Sequence, residues 1–255
     1  MYLLYSILIA LYFGAAMIAS IFYKKGRKWL LGRRGQYKAL EKKMHEWRDR
    51  QIVWIHAASY GEYEMSIPLL KALKKQNRDL KFVVSFFSPS GYENTRIEDP
   101  DFYKIYLALD LFRIQKKYLS LVKPHAFIFI KYEFWFNLMR ALQSEHIKYY
   151  FVGLHLERDS YLLRKAFKTL TRLIKSADGI YTHSKNAYAI LAEKSFRNIE
   201  VFGDMRISQV LVNKEEDLIN LKWPREGCKC MIYGSVSKYE LPYILKIIKN
   251  NPQHN

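Results

Sequence analysis

The chain of 255 residues contains little cysteine, few acidic residues, no internal repeat and no low-complexity segment. Its two cysteines, Cys228 and Cys230, form one C-x-C pair. This pair excludes a disulfide framework and makes a poor zinc site, because a structural zinc ion needs four ligands. A reducing compartment is therefore expected. Acidic residues number 24 against 42 lysines and arginines, so the formal net charge is +18 at pH 7.

The overall composition is that of a folded protein. Hydrophobic residues make up 50% of the chain and charged residues 26%, which excludes disorder, collagen and coiled coil as descriptions of the whole. The basic excess indicates a polyanionic partner (nucleic acid, an anionic membrane face or a phosphorylated ligand) or a generally basic proteome. Nucleic acid ranks last, because the 20 tyrosines are scattered instead of interleaved with basic residues.

The N-terminal segment, residues 1–23, carries no charged side chain and is long enough to cross a bilayer core. Residues 24–50 then hold eleven Lys or Arg and three acids. Positive charge after an apolar segment places that end in the cytoplasm, whereas a secretory signal carries its charge before the apolar run. We therefore predict an uncleaved anchor over 1–23, with the soluble part on the cytoplasmic side.

The basic juxtamembrane segment, 24–50, has two possible roles. It could bind anionic lipid, at about 1 kcal/mol per Lys or Arg near the surface, or it could serve only as a topology signal. Trp29 and Trp47 are expected in the interfacial zone of the membrane.

From residue 51 onward, short apolar runs alternate with helical patterns. The predicted strands are 52–56, 82–87, 105–109, 126–130, 149–153 and 179–182, and the predicted helices are 62–75, 111–121, 136–145, 161–175 and 187–194. This alternation predicts an α/β fold, a doubly wound Rossmann-like domain over 51–206 with a parallel sheet covered on both faces. A polar linker over 207–228 and a strand at 230–233 predict the start of a second such domain over 229–255.

Small residues, hydroxyls and carboxylates follow each predicted strand, at the edge where ligands bind in such folds. Six of these segments are HAASYGE (56–62), SPSG (88–91), YEFWFNL (132–138), LERDS (156–160), GDMR (203–206) and GSVSKYE (234–240). In this order they resemble the motifs of the 3-deoxy-D-manno-octulosonic acid (Kdo) transferases of lipopolysaccharide assembly. The resemblance extends over almost the whole chain, and the apolar anchor with its basic segment is also typical of that family.

The resemblance implies a glycosyltransferase of the B type, with two Rossmann-like domains. The first would bind the lipid A precursor (lipid IVA) and the second would bind CMP-Kdo, with transfer by inversion and without a metal or other cofactor. The partners would be these two substrates and the anionic surface of the cell inner membrane, with no nucleic acid.

The resemblance also assigns roles to residues. The catalytic residues would be Glu62, Glu133 and Arg206. Acceptor binding would involve Ser59, Gly61, Ser88, Ser90 and Gly91, and donor binding Gly234 and Ser235. Three of these assignments have a structural alternative. Glu62 could be only a helix-terminal acid, Glu133 only a helix cap, and Ser88 to Gly91 only a plain turn.

Three further expectations concern this part of the chain. Partial burial would raise the pKa of Glu62, as a general base requires, whereas a helix start would lower it. His56 is expected to shape the loop around Glu62. Arg206 stands where the family usually has Lys, and a planar guanidinium does not replace an ammonium group without consequence.

The pattern of the last residues predicts only the first part of a donor domain, so this chain alone is expected to be inactive or weakly active. A fragment, a split gene and a truncated pseudoenzyme all remain open. Two other functions remain beside Kdo transfer: another lipid-directed glycosyltransferase, or a non-catalytic, membrane-anchored module that binds glycolipid.

Overall fold

The computed structural model describes residues 2–208, 210 and 232–250. The chain divides into two compact units, Met1–Glu215 and Glu216–Asn255. Both cysteines, most of the predicted linker and the first half of the predicted strand 230–233 lie outside the described residues. Its second half, Ile232 and Tyr233, is not in a strand.

The first unit alternates helices and strands. Its helices are α1 (Tyr2–Phe22), α2 (Lys24–Leu31), α3 (Gln36–Glu46), α4 (Tyr60–Gln76), α5 (Pro89–Asn94), α6 (Phe112–Val122), α7 (Phe136–Ser144), α8 (Lys168–Lys175) and α9 (Lys185–Glu193). Its strands are β1 (Ile52–His56), β2 (Lys81–Phe86), β3 (Phe102–Tyr106), β4 (Ala126–Ile130), β5 (Lys148–Val152), β6 (Gly179–Thr182) and β7 (Ile199–Val201). In the second unit, α10 (Leu241–Asn250) is described.

The seven strands form one parallel sheet in the order β3-β2-β1-β4-β5-β6-β7. Val53 of β1 pairs with Phe82 on one side and with Ala126 on the other. Because the chain first builds outward from β1 to β3 and then returns to β4, the strand order reverses between β1 and β4. In doubly wound sheets, this reversal opens a crevice at the carboxyl ends of the strands. The predicted fold class is confirmed.

The sheet is covered on both faces. The larger core includes Trp54, Phe127, Phe129 and Phe151, all fully buried beneath helices that include α3, α6 and α7. The smaller core lies on the opposite face, where Ile55, Phe82 and Ile130 pack against α4. The continuous apolar character of the strands is explained by this two-sided burial.

The basic segment 24–50 belongs to the first compact unit instead of preceding it. Leu40, Met44 and Trp47 recur at helical spacing and join the larger core. Trp29 is also buried, and its indole N–H donates to the carbonyl of Phe87 at 2.9 Å. The expectation that Trp29 and Trp47 lie in the membrane interface is therefore wrong, because both rings are covered by the protein.

Helix α3 also covers one edge of the sheet. The buried side-chain amide of Gln36 accepts from the Tyr106 N–H at 2.7 Å and donates to the Tyr106 carbonyl at 2.8 Å. It therefore satisfies both backbone groups of a residue in the edge strand β3, as a neighbouring strand would.

Two predicted elements of the first unit differ from the structure by more than two residues. The third strand ends at Tyr106 instead of residue 109, because register with β2 begins at the pair Phe82–Phe102. The predicted helix 161–175 consists of two short 3₁₀ turns followed by α8, because Arg164 between the turns is extended (φ −75°, ψ 151°). Strand β7 ends at Val201, just before the strand exit expected at GDMR, although the apolar pattern does not predict its bounds.

Candidate active site

Glu62 lies at the start of α4, directly after β1. Its Oε2 accepts hydrogen bonds from the backbone N–H groups of Ala58 (2.6 Å) and Ser59 (3.3 Å). Glu62 is the third residue of the helix and Ser59 its N-cap, so Glu62 is placed as in a capping box. The carboxylate is therefore fixed at the carboxyl edge of the sheet.

Glu133 lies in the loop after β4, on the other side of the strand-order reversal. Its Oε2 is 3.2 Å from His56 Nε2 and accepts from the Trp135 indole N–H at 2.8 Å. The ring of His56 is fully buried, and its Nδ1 lies 3.0 Å from both the carbonyl and the hydroxyl oxygen of Ser85. His56 is therefore a buried residue that joins Ser85 to Glu133, and its expected role in shaping the loop around Glu62 stays a prediction.

The two glutamates have pKa values shifted in opposite directions. Burial raises the pKa of Glu62, and the charge of Glu133 raises it further. Hydrogen bonds from the Ala58 and Ser59 N–H groups and the charge of Lys131 lower it, but by less. Burial also raises the pKa of Glu133. The hydrogen bond and charge of His56, together with the hydrogen bond from the Trp135 N–H, outweigh burial, so the pKa of Glu133 is lowered. Such a divided pair suits an acid–base role for one carboxylate and a fixed negative charge for the other.

Glu133 does not cap the following helix. The N–H groups at the start of α7 are bound by a different carboxylate, Asp110, which accepts from Asn137 N at 3.1 Å and Leu138 N at 2.7 Å. Asp110 is almost fully buried and follows β3. Asp110 therefore satisfies the helix start, and Glu133 instead bonds His56 and Trp135 while 17% of its side chain stays exposed.

The exits of β1 and β2 are packed together. A Cβ atom on Gly91 would come within 3.3 Å of the Ser59 backbone and 2.7 Å of the Phe86 ring, so only glycine allows this approach. Ser88 is the N-cap of α5, accepting from the Gly91 N–H at 3.1 Å, and its Oγ is 3.1 Å from Ser90 Oγ. The predicted acceptor-binding residues around Ser59 therefore share one corner of the edge.

Gly61 is exposed in the same corner, and a Cβ atom there would meet open space. The first turn of α4 is therefore accessible at this position.

Arg206 is held differently. Its side chain is 68% exposed and binds the Asp204 carboxylate through Nε (3.0 Å) and Nη2 (2.6 Å). This guanidinium lowers the pKa of Asp204 to about 2. The charge of Arg206 also acts on Tyr132, the residue before Glu133. Burial and the charge of Glu157 raise the pKa of Tyr132, and Arg206 opposes part of that rise.

The predicted donor residues Gly234 and Ser235 are exposed residues of the second unit. Ser235 adopts a left-handed backbone conformation (φ 59°).

Sequence patterns did not identify three residues of this edge. Lys131 adopts a positive φ (62°) beside Glu62, Asp110 holds the start of α7, and Trp135 donates to Glu133. The Y-E-F-W segment contains a signal for the last of these, because an indole two residues from a buried carboxylate needs an acceptor. The other two depend on contacts between distant parts of the chain.

Comparison with known proteins agrees with this arrangement. Residues 30–209 match the family model described as 3-deoxy-D-manno-octulosonic-acid transferase (kdotransferase). The chain is 27% identical over 214 residues to a transferase of this name from Rickettsia typhi, covering 79% of this chain and 44% of that protein. It is 37% identical over 89 residues to the one from Aquifex aeolicus, covering 34% of this chain and 24% of that protein. The chain thus spans less than half the length of these two relatives.

Solved structures support the fold alone. The UDP-GlcNAc 2-epimerase of Neisseria meningitidis superposes with a TM-score of 0.51 at 12% identity, covering 65% of this chain and 50% of that one. The family model covers most of the chain, and the motifs follow the strands of a Rossmann-like parallel sheet in the expected order. The chain therefore belongs to the Kdo transferase family.

Proposed function

We propose that this protein transfers Kdo from CMP-Kdo to the lipid A precursor, lipid IVA, in lipopolysaccharide biosynthesis, with inversion and without a metal. The observation that carries the proposal is the pair Glu62 and Glu133. The two residues follow the neighbouring strands β1 and β4 on either side of the strand-order reversal, near enough for the charge of Glu133 to raise the pKa of Glu62, in a member of the Kdo transferase family. B-type folds bind substrates in that crevice.

Glu62 acts as the general base. An acceptor sugar hydroxyl loses its proton to the Glu62 carboxylate as its oxygen attacks the donor sugar carbon, and the bond from that carbon to the CMP phosphate breaks on the opposite face. CMP leaves with the bonding electron pair. The raised pKa of Glu62 supports this role, because a base nearer neutrality accepts a proton more favourably.

Glu133 remains ionised and orients the acceptor or stabilises the positive charge that develops at the donor sugar. Its fixed charge also keeps the pKa of Glu62 raised. Ser59, Gly61, Ser88, Ser90 and Gly91 contact the acceptor at the adjoining corner.

The donor side is assigned to the remaining predicted residues. Arg206 offsets the charge of the leaving phosphate or the donor carboxylate once substrate displaces Asp204 from its guanidinium. Gly234 and Ser235 contact CMP-Kdo from the second domain.

The protein works at the cytoplasmic face of the inner membrane, attached through α1. By length and composition α1 can cross a membrane, with a mean hydropathy of 2.0 over its most apolar window. The basic residues that follow α1 favour an anionic leaflet and a phosphorylated glycolipid.

A transfer assay tests the proposal. Membranes containing this chain, alone or extended by the C-terminal domain of the Rickettsia typhi relative, would receive tetra-acylated lipid A precursor and freshly made CMP-Kdo. Mass spectrometry of the lipid should show a product heavier by one or more Kdo units from the extended protein at least. No product from either protein would contradict Kdo transfer.

A further inference from the structure

One face of α1 is attached to the first compact unit along the helix. Tyr5, Ile9, Phe13, Ala16 and Ser20 recur at helical spacing and are covered partly or fully. At the start of the helix the Tyr5 hydroxyl donates to Asp110 Oδ2 at 2.7 Å. A spacing of three and four residues places these side chains on one stripe.

Further contacts hold both ends of α1. Near its start, the side-chain amide of Asn137 donates to the Ser6 hydroxyl at 3.1 Å, and the Arg140 guanidinium lies 3.9 Å from the centre of the Tyr2 ring. Near its end, α2 crosses so closely that a Cβ atom on Gly26 would lie 3.0 Å from Ser20 Cα. The helix is therefore docked from its first turn to its last.

A docked α1 cannot also cross the bilayer. Its 21 residues span about 31 Å at 1.5 Å per residue, close to the whole hydrocarbon core. If α1 crossed the core, its first turn would carry Asp110, Arg140 and the start of α7 to the far side. Charged groups and backbone from an α/β domain do not enter that region.

The opposite face of α1 is exposed and apolar. Leu4, Leu11 and Ile18 lie seven residues apart on one stripe, with exposures of 62%, 64% and 65%. A helix that is hydrophobic on all sides needs an apolar environment on all sides, and the protein supplies it on one side only. Arg27, Lys28 and Arg34 are exposed beyond the end of α1, where they match the negative charge of a lipid leaflet.

We propose that α1 lies in the plane of the membrane, with its exposed stripe inserted into one leaflet and its other face still docked on the domain. Asp110 and Asn137, which hold α1, follow β3 and β4, at the same edge as the glutamate pair. Phe13 of α1 also packs against Trp29 of α2, which donates to the Phe87 carbonyl after β2. Membrane binding thus presents the carboxyl edge to the lipid headgroups. This inference refines the membrane attachment proposed above and does not depend on the transfer chemistry.

Spin-label depth distinguishes a helix in the plane from one that crosses. Single cysteines replace Leu4, Leu11 or Ile18 in a chain in which Cys228 and Cys230 are serine, and each is labelled in vesicles of phosphatidylethanolamine and phosphatidylglycerol. Oxygen and a water-soluble nickel complex report depth. We expect three similar depths with high oxygen accessibility.

Two outcomes would overturn the proposal. A crossing helix would place Leu11 deepest, with Leu4 and Ile18 near opposite interfaces, roughly 21 Å apart along the axis. Labels shielded from both oxygen and nickel would indicate that protein, such as a second copy of the chain, covers this face. A protease-cleavable N-terminal tag gives an independent readout of sidedness, with a C-terminal tag as its control. It should be cut from the same membrane side as the C-terminal tag, and cutting from the opposite side would contradict a helix in the plane.

Discussion

The exits of β1, β2 and β4 and the exits of β5, β6 and β7 share one edge of the sheet but differ in construction. In the first group, the carboxylates are largely buried and bonded inside the protein, Glu62 to the Ala58 and Ser59 N–H groups and Glu133 to His56 and Trp135. In the second, charged side chains pair at the surface, as Arg206 does with Asp204. The first group is fixed before substrate arrives, whereas the second can exchange its partners. Preorganised charge favours catalysis, and exchangeable charge favours binding and release of a ligand.

Glu62→Gln, in the protein extended by the C-terminal domain of the Rickettsia typhi relative, tests the role of the first group most directly. The amide still accepts from the Ala58 and Ser59 N–H groups but cannot take a proton, so the transfer rate should fall by at least about 100-fold. Glu64→Gln, two residues along the same helix, is the matched control and should keep the rate within about twofold. Rates come from initial velocities of lipid product. A Glu62→Gln variant with full activity would remove the base assignment.

His56→Ala should destabilise the first group strongly. It removes the ring that contacts both Ser85 and Glu133 and leaves polar groups unpaired in a buried site, at a cost of about 2–3 kcal/mol. In the second group, the His155 side chain is 19% exposed and contacts the exposed Glu157, so His155→Ala should cost less than His56→Ala, about 1 kcal/mol. Urea unfolding of both variants measures the difference. Equal losses would show that the two groups are equally rigid.

Opposite charge changes around Glu62 should move its pKa in opposite directions. Lys131→Gln removes a cation that stabilises the carboxylate, so the pKa should rise, whereas Glu133→Gln removes a repelling anion, so it should fall. Carboxyl ¹³C titration of Glu62 follows both shifts. The acid limb of the transfer rate should move the same way, since a base must be deprotonated to act. Shifts of the same sign would contradict the proximity of these charges.

The smallest effect is expected at the surface pair. Arg206→Ala should return the pKa of Asp204 from about 2 toward its ordinary value, while Arg206→Lys restores part of the depression. A carboxyl group whose pKa is lowered on folding stabilises the fold at pH values above its ordinary pKa. That stabilisation is lost as the pH falls toward 2. Because Arg206 is largely exposed, solvent screens the pair and unfolding should change little. A large loss of stability in Arg206→Ala would show that the Arg206–Asp204 pair is a fixed structural contact, like those at the exits of β1, β2 and β4.

The sequence predicts the central strands of the fold well. β1, β4 and β6 have the predicted bounds, because short apolar runs between polar turns are buried on both sides in a parallel sheet. The edges are less predictable. The run 105–109 is apolar throughout and Lys104 interrupts the apolar pattern before it, so the register with β2, not the composition, decides that β3 spans 102–106. β7 has only three residues, with Glu200 and Val201 exposed, and lacks the apolar signal of the inner strands.

The site is predictable only where its parts are local in sequence. The positions of Glu62 and Glu133 after their strands follow from the strand pattern, and their proximity follows from the pairing of β1 with β4. The contact of His56 with Glu133 joins residues 77 positions apart, and no local pattern encodes it. The buried positions of Trp29 and Trp47 were missed because a basic segment with apolar residues at helical spacing fits both a membrane surface and a protein core.

The side-chain amide of Gln36 has a consequence for assembly. A sheet can grow by adding strands at either end, and exposed edges are where chains polymerise or aggregate. Of the two ends of the described sheet, the one at β3 has its Tyr106 backbone groups already occupied by Gln36. Strand addition from another chain is thereby directed to the three-residue strand β7, which offers too few hydrogen bonds to nucleate a fibre readily.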